Sequence, residues 1–446
     1  MEKPSRQTKP SLWAKLLTAA FPLYLTITFD KLGVVVVIAL LGNHATTTLA
    51  AFVLTTVIYI PASMSALSAL RGVVPSLAPH LENPRESGPL LRDVRWLSLS
   101  FALVGIIPLL GLPFLGKMLG ASPDIVDSLG YLPYFMAAAL VTFAIKQGTI
   151  QALIAFERSK DVMWPGLTDI GATVALASLL VPAYGVNGGG AAFLAGSTVG
   201  ALVALWRLRI ARGPTGWGRP RPGPMWSLAR TGLPLAGGTF IHMSALAIMA
   251  LSATRLGSSE AAAHGIMLEL IPVITILSSS VCQVAIPHLS VQYIKNPPHY
   301  LRHSVFQIAV LTAITMSAGV ALLVFSAPHV MPWFSTQEAP VALALEVLPF
   351  LAVVILLQGF TWIANAALIA MKRTPITFVN MLICYGALAI VALPSAEQYG
   401  LVGLWVSFMA VNAALFIGQT SAFWYLTRNR QSQPTTEQVT SGPLKT

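Results

Sequence analysis

The chain has 446 residues, of which 55% are hydrophobic and only 10% are Asp, Glu, Lys or Arg, and its mean hydropathy is +0.72. Soluble domains carry about 25% charged residues, so this composition excludes a soluble globular protein and indicates an integral membrane protein. The formal net charge of +11 indicates topology and contact with anionic lipid rather than with nucleic acid.

Long apolar runs without polar alternation recur about a dozen times along the chain. Each is long enough to cross a bilayer as a helix, which takes about 20 residues. An all-α membrane protein is therefore predicted, because barrel strands are short and alternate. In chain order the predicted spans are 13–41, 48–71, 96–116, 130–155, 163–184, 188–211, 227–255, 260–290, 302–326, 341–370, 375–395 and 400–427.

Basic residues concentrate in alternate joins between these spans. Arginines and lysines cluster before the first span, in the second and sixth joins and in the tail, whereas the opposite joins keep Lys117 and Arg255 among several acids. The positive-inside rule then predicts that both termini are cytoplasmic. The expected location is the cell membrane (inner or plasma membrane), crossed many times.

The middle of the chain contains a long stretch rich in Pro, Gly and Arg, "RLRIARGPTGWGRPRPGPMWSLAR", at 207–230. Such a composition is typical of a linker. It divides the chain into four predicted units: a six-helix lobe at 1–212, a cytoplasmic linker at 213–226, a second six-helix lobe at 227–428 and a disordered cytoplasmic tail at 429–446.

The two predicted lobes carry a weak but regular internal repeat. Pro22 and Pro234 are 212 positions apart, as are Pro75 and Pro287, and "AFERS" at 155–159 matches "AMKRT" at 370–374 with a slightly larger offset. Six helices precede the linker and six follow it, so the lobes share one orientation. Parallel repeats of this kind are typical of transporters whose substrate cavity lies between the lobes.

Short motifs in both lobes resemble a known family. "GLPLAGGTFIHMSALAIMALSATRLGSSEAAAHGIMLEL" at 232–270 resembles the seventh and eighth helices of MATE (multidrug and toxic compound extrusion) proteins, members of the MOP transporter superfamily. "LGNHATTTLAAF" at 41–52 is similar to the first-lobe counterpart, and "YGVNGGGAA" at 184–192 also fits. The resemblance covers roughly residues 13–427 and implies a secondary exporter with two six-helix lobes.

A more distant resemblance is to the progressive ankylosis proteins of the same superfamily. It is carried by "LTDIGATVALASLLV" at 167–181, by the Ile271-Pro272-Val273 step and by "MKRT" at 371–374. This branch exports organic and phosphate-containing anions, so the resemblance implies an alternative class of solute.

Ionisable residues inside apolar spans are expensive, so they are candidate functional residues. We predict four ion-coupling residues: Asp30, Asp169, His242 and Glu269. Asp30 and His242 are 212 positions apart and thus equivalent in the repeat. In the MATE pattern the second-lobe position usually holds Glu, and the first-helix Asp of the family falls about a turn after Asp30, where residues 34–37 are all Val.

Counting along neighbouring helices brings two pairs to similar depth. His242 and Glu269 lie about equally far from the turn near Gly257, so a pair that shares a proton is geometrically possible. Lys146 and Asp169 lie about equally far from the turn near Arg158. For this second pair two interpretations stay open: a structural ion pair between two helices, or a coupling site in which Lys146 gates Asp169.

Other polar residues within the spans are candidates for the wall of the cavity between the lobes. Polar groups of this kind orient a solute while aromatic side chains hold its apolar part. The candidates are Lys31, Lys146, Gln147, Gln283, Gln358, Trp362, Asn365, Asn380 and Tyr385.

The sequence contains no nucleotide-binding loop, metal-ligand spacing or catalytic triad pattern, so no enzyme activity and no cofactor are expected. Without an ATP-binding module, the energy source must be an ion or solute gradient. The predicted function is a MATE-type exporter of small organic solutes or drugs by alternating access, coupled to H⁺ or Na⁺ and most simply to H⁺, and acting as a monomer.

Two alternatives remain: an exporter of organic or phosphate-containing anions, and a less favoured flippase for lipid-linked precursors. The charge of the cavity distinguishes cation from anion export. If Lys31 and Lys146 face the space between the lobes, anions are favoured; if acids neutralise them while Asp30 and Glu269 face that space, cations are favoured.

Overall fold

The computed structural model describes residues 11–81, 84–118, 122–213, 216–334 and 337–431, with all their side chains except those of residues 30, 84–86, 333, 430 and 431. The helices are α1 (Leu12–His44), α2 (Thr46–Arg71), α3 (Val74–Leu77), α4 (Pro84–Leu110), α5 (Leu112–Met118), α6 (Pro123–Asp127), α7 (Leu132–Ala155), α8 (Ser159–Arg212), α9 (Pro222–Leu256), α10 (Ser258–Lys295), α11 (Pro298–Val330), α12 (Glu338–Ala370) and α13 (Thr374–Gln431). Short 3₁₀ turns follow α3 (Ala78–His80) and α11 (Met331–Trp333).

Within the described residues, ten helices are long and apolar enough to cross a membrane. Two of them, α8 with 54 residues and α13 with 58, are far longer than the others. At about 1.5 Å per residue each would span about 80 Å, well beyond the roughly 30 Å of a hydrocarbon core. Each is broken in its middle at a glycine with positive φ, Gly185 (53°) or Gly400 (64°). Each therefore crosses twice, which confirms the twelve predicted crossings.

The repeat is visible in the backbone at the ends of α7 and α12. The segments "LIAFERS" (153–159) and "LIAMKRT" (368–374) make the same turn, with the amide of Arg158 bonded to the carbonyl of Leu153 and that of Arg373 to Leu368, both at 2.9 Å. The residue before each arginine has positive φ, 55° at Glu157 and 57° at Lys372. At this turn the lobes are thus related by an offset of 215 positions.

We call the end of the bundle where α1 begins and α13 finishes the termini end, and the opposite end the far end. At the termini end, both lobes share one apolar core. It joins first-lobe residues such as Leu16 and Ile154 to second-lobe residues such as Val284 and Ile369. Burial of this surface favours contact between the lobes at that end.

At the far end the apolar cores are separate. One cluster contains second-lobe residues alone, such as Met249 and Leu351, and two clusters contain first-lobe residues alone, such as Leu41 and Leu140. The described lobes therefore pack together at the termini end and have independent cores at the far end.

The seam between the lobes is formed mainly where α2 meets α9 and α1 meets α10. A Cβ on Gly72 would lie 2.8 Å from the Cα of Gly232, so the backbones of α2 and α9 touch directly. Further along the same two helices, the Thr239 and Ser68 hydroxyl oxygens are 2.7 Å apart. The close approach depends on small residues, as is usual between membrane helices.

The described part of the linker packs on α4 of the first lobe. The Arg95 guanidinium donates to the carbonyl of Gly216 and the Trp96 indole to that of Trp217, both at 3.3 Å. Arg221 forms two hydrogen bonds with the fully buried Asp93, which raise the pKa of Arg221.

The predicted boundaries of the linker and tail can be compared with the helices. Residues 214 and 215 of the linker, and 432–446 of the predicted tail, lie outside the described residues. Helix α9 begins at Pro222, inside the stretch predicted as linker; proline is well suited to the first position of a helix because its missing amide proton would have no partner there. Helix α13 continues to Gln431.

Candidate functional site

The space between the lobes at the far end is bordered by the four seam helices, α1, α2, α9 and α10. In their far halves these helices carry exposed apolar side chains such as Val57 (63% exposed) and Val273 (64% exposed). Because the cores of the two lobes separate there, we take this far-end cleft as the candidate solute site, and examine the buried polar groups of each lobe beside it.

The first lobe contains a buried ion pair between two of its own helices. Lys146 of α7 and Asp169 of α8 are 3% and 7% exposed, and the ammonium donates to the carboxylate. The Thr173 hydroxyl adds a hydrogen bond to Asp169 Oδ1 at 3.3 Å, and the ammonium lies 5.2 Å from the Phe143 ring centre. The pair predicted from helix depth is confirmed as a contact, and it lies inside the lobe.

Helix α1 packs against the segment of α8 that contains this pair. A Cβ on Gly166 would lie 3.0 Å from the Thr26 Cβ, and a Cβ on Gly33 would lie 2.8 Å from the Ile170 Cδ1. The backbone of Asp30 lies between Thr26 and Gly33, on the α1 segment that faces Gly166 to Ile170. The side chain of this predicted coupling residue is outside the described part of the structure.

The second lobe has histidines at its polar positions. His242 of α9 stacks on Tyr385 of α13, with ring centres 4.5 Å apart and planes inclined by 26°. Among the described residues no hydrogen-bond partner meets the buried His242 Nε2. Tyr385, predicted to line the cavity, is instead 4% exposed and packs within this lobe.

A second buried histidine was missed by the sequence analysis. His264 of α10 is 1% exposed, and its ring lies 5.6 Å from that of Trp405 on α13. Both His264 nitrogens and Trp405 Nε1 are buried without a hydrogen-bond partner in the described part of the chain. The available signal was its position inside an apolar span, six residues after the start of α10 and within the motif that carries the family resemblance.

The suggested pairing of His242 with Glu269 is wrong in this structure. Glu269 is exposed and lies on the same outer stripe of α10 as Val273, whereas His242 lies with Ala245 and Met249 near the buried face of α9. A helix also has a rotational position, and Glu269 lies on the exposed stripe of α10 that borders the far-end cleft with Val273, not on the side that packs in the lobe.

The predicted cavity residues are divided by the structure into three groups. Lys146, Gln283, Gln358 and Tyr385 are buried, Gln147, Trp362, Asn365 and Asn380 are half-buried, and Lys31 is exposed. Gln283 and Gln358 are buried among the packed helices, and Tyr385 packs on His242. Contact of the half-buried residues with solute stays a prediction.

Lys31 is the one predicted cavity residue with an exposed side chain. It lies about 200° around α1 from Gly33, whose Cβ direction meets Ile170 of α8. Lys31 therefore lies on the side of α1 away from α8, and no hydrogen bond or ion pair joins it to another described side chain. Near the start of α1, Trp13 donates its indole proton to the carbonyl of Gln307 on α11, in the second lobe, at 3.0 Å.

Comparisons with known proteins agree with one another. The MatE family model matches residues 234–394. The chain is 26% identical over 392 residues to a probable multidrug resistance protein NorM of Aromatoleum aromaticum, covering 83% of this chain and 81% of that protein. It is 24% identical over 409 residues to the corresponding protein of Xanthomonas campestris pv. campestris, covering 85% of each.

The fold is also similar to solved structures. An outward-facing multidrug resistance transporter of the MATE family, in the MOP superfamily, superposes with a TM-score of 0.83 at 15% sequence identity, covering 96% of this chain and 100% of that one. At this identity the likeness concerns the fold alone.

Proposed function

This chain belongs to the MATE family of the MOP superfamily, and from that premise we propose that it exports small organic solutes by ion-coupled alternating access. It is a multi-pass membrane protein and a transporter, not an enzyme. The coupling ion we propose is H⁺, with Na⁺ as the alternative, and we propose that one chain suffices for transport.

The observation that carries the proposal is the difference between the two ends of the bundle. Apolar residues of both lobes form one core at the termini end, while each lobe has its own core at the far end. A solute in the far-end cleft has access from one side alone. If the termini are cytoplasmic, as the distribution of arginine and lysine predicts, this is the outward-facing state.

Closing the far end and opening the termini end would complete the transport cycle. The shared core that must then separate is apolar, and the contact of Gly72 with Gly232 involves no charge. The seam is held by apolar packing and by neutral hydrogen bonds such as that between Thr239 and Ser68, so a change of charge inside one lobe can shift its balance by a few kcal/mol, enough to change the preferred state.

For the coupling site we propose the buried polar group of the first lobe, Asp30 with Asp169. The packing of α1 on α8 brings the Asp30 backbone beside the helix segment of Asp169, and Lys146 already neutralises Asp169. Asp30 would add a second carboxylate beside this neutralised pair, and we expect this carboxylate to bind and release the proton. His242, at the repeat-equivalent position, is our candidate in the second lobe. Glu269 is a further candidate, because it is exposed on the same stripe of α10 as Val273, which borders the far-end cleft.

The charge of the transported solute follows from which lysines face the cleft. Lys146 is neutralised inside the first lobe, which supports an amphipathic organic cation as the solute. Lys31 is exposed on α1, a seam helix, on the side away from α8, and this observation supports the second candidate, an exporter of organic anions.

The test is transport in proteoliposomes under an imposed pH or sodium gradient, with the cationic dye ethidium and an anionic carboxylated dye as solutes. We expect the pH gradient to drive ethidium and Asp30→Asn to slow it by about 5- to 150-fold, the range of typical coupling energies. His242→Ala is the corresponding second-lobe variant. The exposed Asp124→Asn and His329→Ala are matched controls.

Unchanged pH-driven transport in Asp30→Asn would rule out Asp30 as the coupling residue. Transport driven by sodium alone would replace H⁺ by Na⁺. Export of the anionic dye but not of ethidium, lost in Lys31→Gln, would favour the second candidate.

A further inference from the structure

A cavity of about 530 Å³ lies between the lobes at the termini end. Its walls are the first turns of α1, the turn between α7 and α8, and α10 of the second lobe, which contributes Val284 and His288. Leu16 and Val284, which belong to the shared core, line it as well. The cavity is therefore on the other side of this core from the far-end cleft, and the solute path proposed above does not use it.

The cavity has an excess of positive charge. Its acids are already paired: Glu157 accepts both hydrogen bonds from Lys15, at 3.0 and 2.9 Å, and Asp161 pairs with Arg158 at 3.0 Å. Asp161 is also within 3.4 Å of Arg207. Lys160 lies in the lining with no acid bound to it among the described residues. Three lining cations thus face two lining acids, and Arg207, outside the lining, adds a further positive charge beside Asp161.

The first turn of α8 adds to this positive character. Arg158 precedes the helix and offers no side-chain acceptor to its first amides. Free amides at a helix start attract anions. The Glu157 backbone has a positive φ of 55°, a conformation that costs free energy in a residue other than glycine. The surrounding contacts must therefore hold this turn, which lies next to the cations, in one conformation.

The remaining lining is apolar, with Leu12, Leu16, Ala19, Ile154 and Val284. Trp13 lies between Leu12 and Ala14 of this lining and is partly exposed, as is typical of tryptophan at a membrane surface. A free phosphate ion would gain no binding free energy from these apolar side chains. A phospholipid would gain it, because its headgroup meets the cations while the first methylenes of its chains meet the apolar side chains.

We propose that this cavity binds the phosphate headgroup of an anionic phospholipid, which thereby contacts both lobes at the termini end. Basic cavities between membrane helices are suited to such headgroups. The phosphate is recognised by Lys160 and by the Arg158 guanidinium, and Lys15 stays with Glu157. The lipid touches α10 as well as α1 and α8, so it favours the state in which the termini end is closed.

Native mass spectrometry of the full-length protein in detergent, titrated with phosphatidylglycerol or with phosphatidylcholine, tests this site. We expect tighter binding of phosphatidylglycerol, and a loss of affinity of about fivefold for each cation removed in Lys160→Gln and Arg158→Gln/Lys160→Gln. Lys160→Arg should bind normally. The control is Lys295→Gln, which removes an exposed lysine at the same end, on α10, outside the cavity.

Equal loss in Lys295→Gln would overturn the site, since it would indicate attraction to the surface as a whole. Equal binding of phosphatidylcholine would also overturn it. Displacement of the lipid by millimolar inorganic phosphate would overturn the assignment to a lipid and indicate a soluble anion. The readout is binding, so the result is independent of which solute the protein transports, and Lys160→Arg shows whether a substitution at this position still folds.

Discussion

The two lobes share the turns at 153–159 and 368–374 and a long helix broken at a glycine, but they bury different polar residues. Through the 215-position offset of the matching turns, Lys146 and Asp169 of the first lobe correspond to Thr361 and Cys384 of the second. An ion pair inside one lobe is thus replaced by two uncharged residues in the other. The second lobe instead buries His242 against Tyr385.

A similar difference is found at the far end. The rings of Phe52 and Phe193 meet in the first lobe with centres 5.6 Å apart. The equivalent of Phe52 by the 212-position offset is His264, which meets Trp405. The repeat therefore keeps the position of these ring contacts, while each lobe has its own set of ionisable groups.

Exchanging Lys146 and Asp169 for their second-lobe counterparts has the largest expected effect on stability. Lys146→Thr leaves Asp169 buried without its cation, and we expect the free energy of unfolding to fall by about 3–5 kcal/mol. Lys146→Thr/Asp169→Cys removes both charges and should recover most of this loss. Thermal unfolding in detergent measures both, with Lys295→Thr as an exposed control expected within about 0.5 kcal/mol of wild type.

The double variant also separates the two interpretations of this pair. Normal pH-driven transport in a stable double variant would identify the pair as a structural brace, and lost transport would identify a coupling role. A double variant no more stable than Lys146→Thr would contradict the claim that the unpaired charge is what destabilises the single variant.

A smaller effect is expected from exchanging the far-end rings. In His264→Phe the buried nitrogens of the imidazole disappear, and since an unpartnered buried polar group costs about 1–3 kcal/mol, we expect a gain in thermal stability. Phe52→His should lose a similar amount. If His264→Phe is clearly less stable than wild type, the imidazole has a partner such as a buried water, and the comparison of the lobes must be revised.

The smallest effect is expected at the matching turns. Lys372→Gly relieves the positive φ of a non-glycine residue and should stabilise by about 1 kcal/mol. Glu157→Gly relieves the same conformation but also removes the exposed ion pair with Lys15, which is worth about 0.2–1 kcal/mol. Its gain in stability should therefore be smaller than that of Lys372→Gly. Chemical denaturation of both variants in one detergent checks the order; a larger gain in Glu157→Gly would mean that the Lys15 pair contributes nothing.

Much of the fold could be predicted because membrane insertion acts on each segment separately. The twelve crossings, the break near residue 185 and the repeat were read from apolar runs and recurring motifs. The contact of Lys146 with Asp169 was also predicted, since both are charged and buried at equal depth on adjacent helices, where each has little choice of partner.

The pairing of His242 could not be obtained in this way. Depth can be counted from a turn, but the rotation of a helix about its axis depends on every neighbour it packs against. Glu269 is exposed and does not meet His242, while Tyr385, 143 positions beyond His242, supplies the actual contact. His264 was missed for a related reason: its significance depends on Trp405, which comes from a distant helix.

The sequence by itself determined that the chain spans a membrane twelve times in two related halves, with a few ionisable groups within the spans. These properties follow from local hydropathy and from a repeat that needs no partner to be recognised. Only the tertiary structure decided which end of the bundle is closed and which polar residues meet. Both properties depend on the packing of α1 and α2 against α9 and α10, where small residues such as Gly72 and Gly232 allow the backbones to touch. The free energy of this packing comes from contacts between segments far apart in the chain, which no local pattern of the sequence reveals.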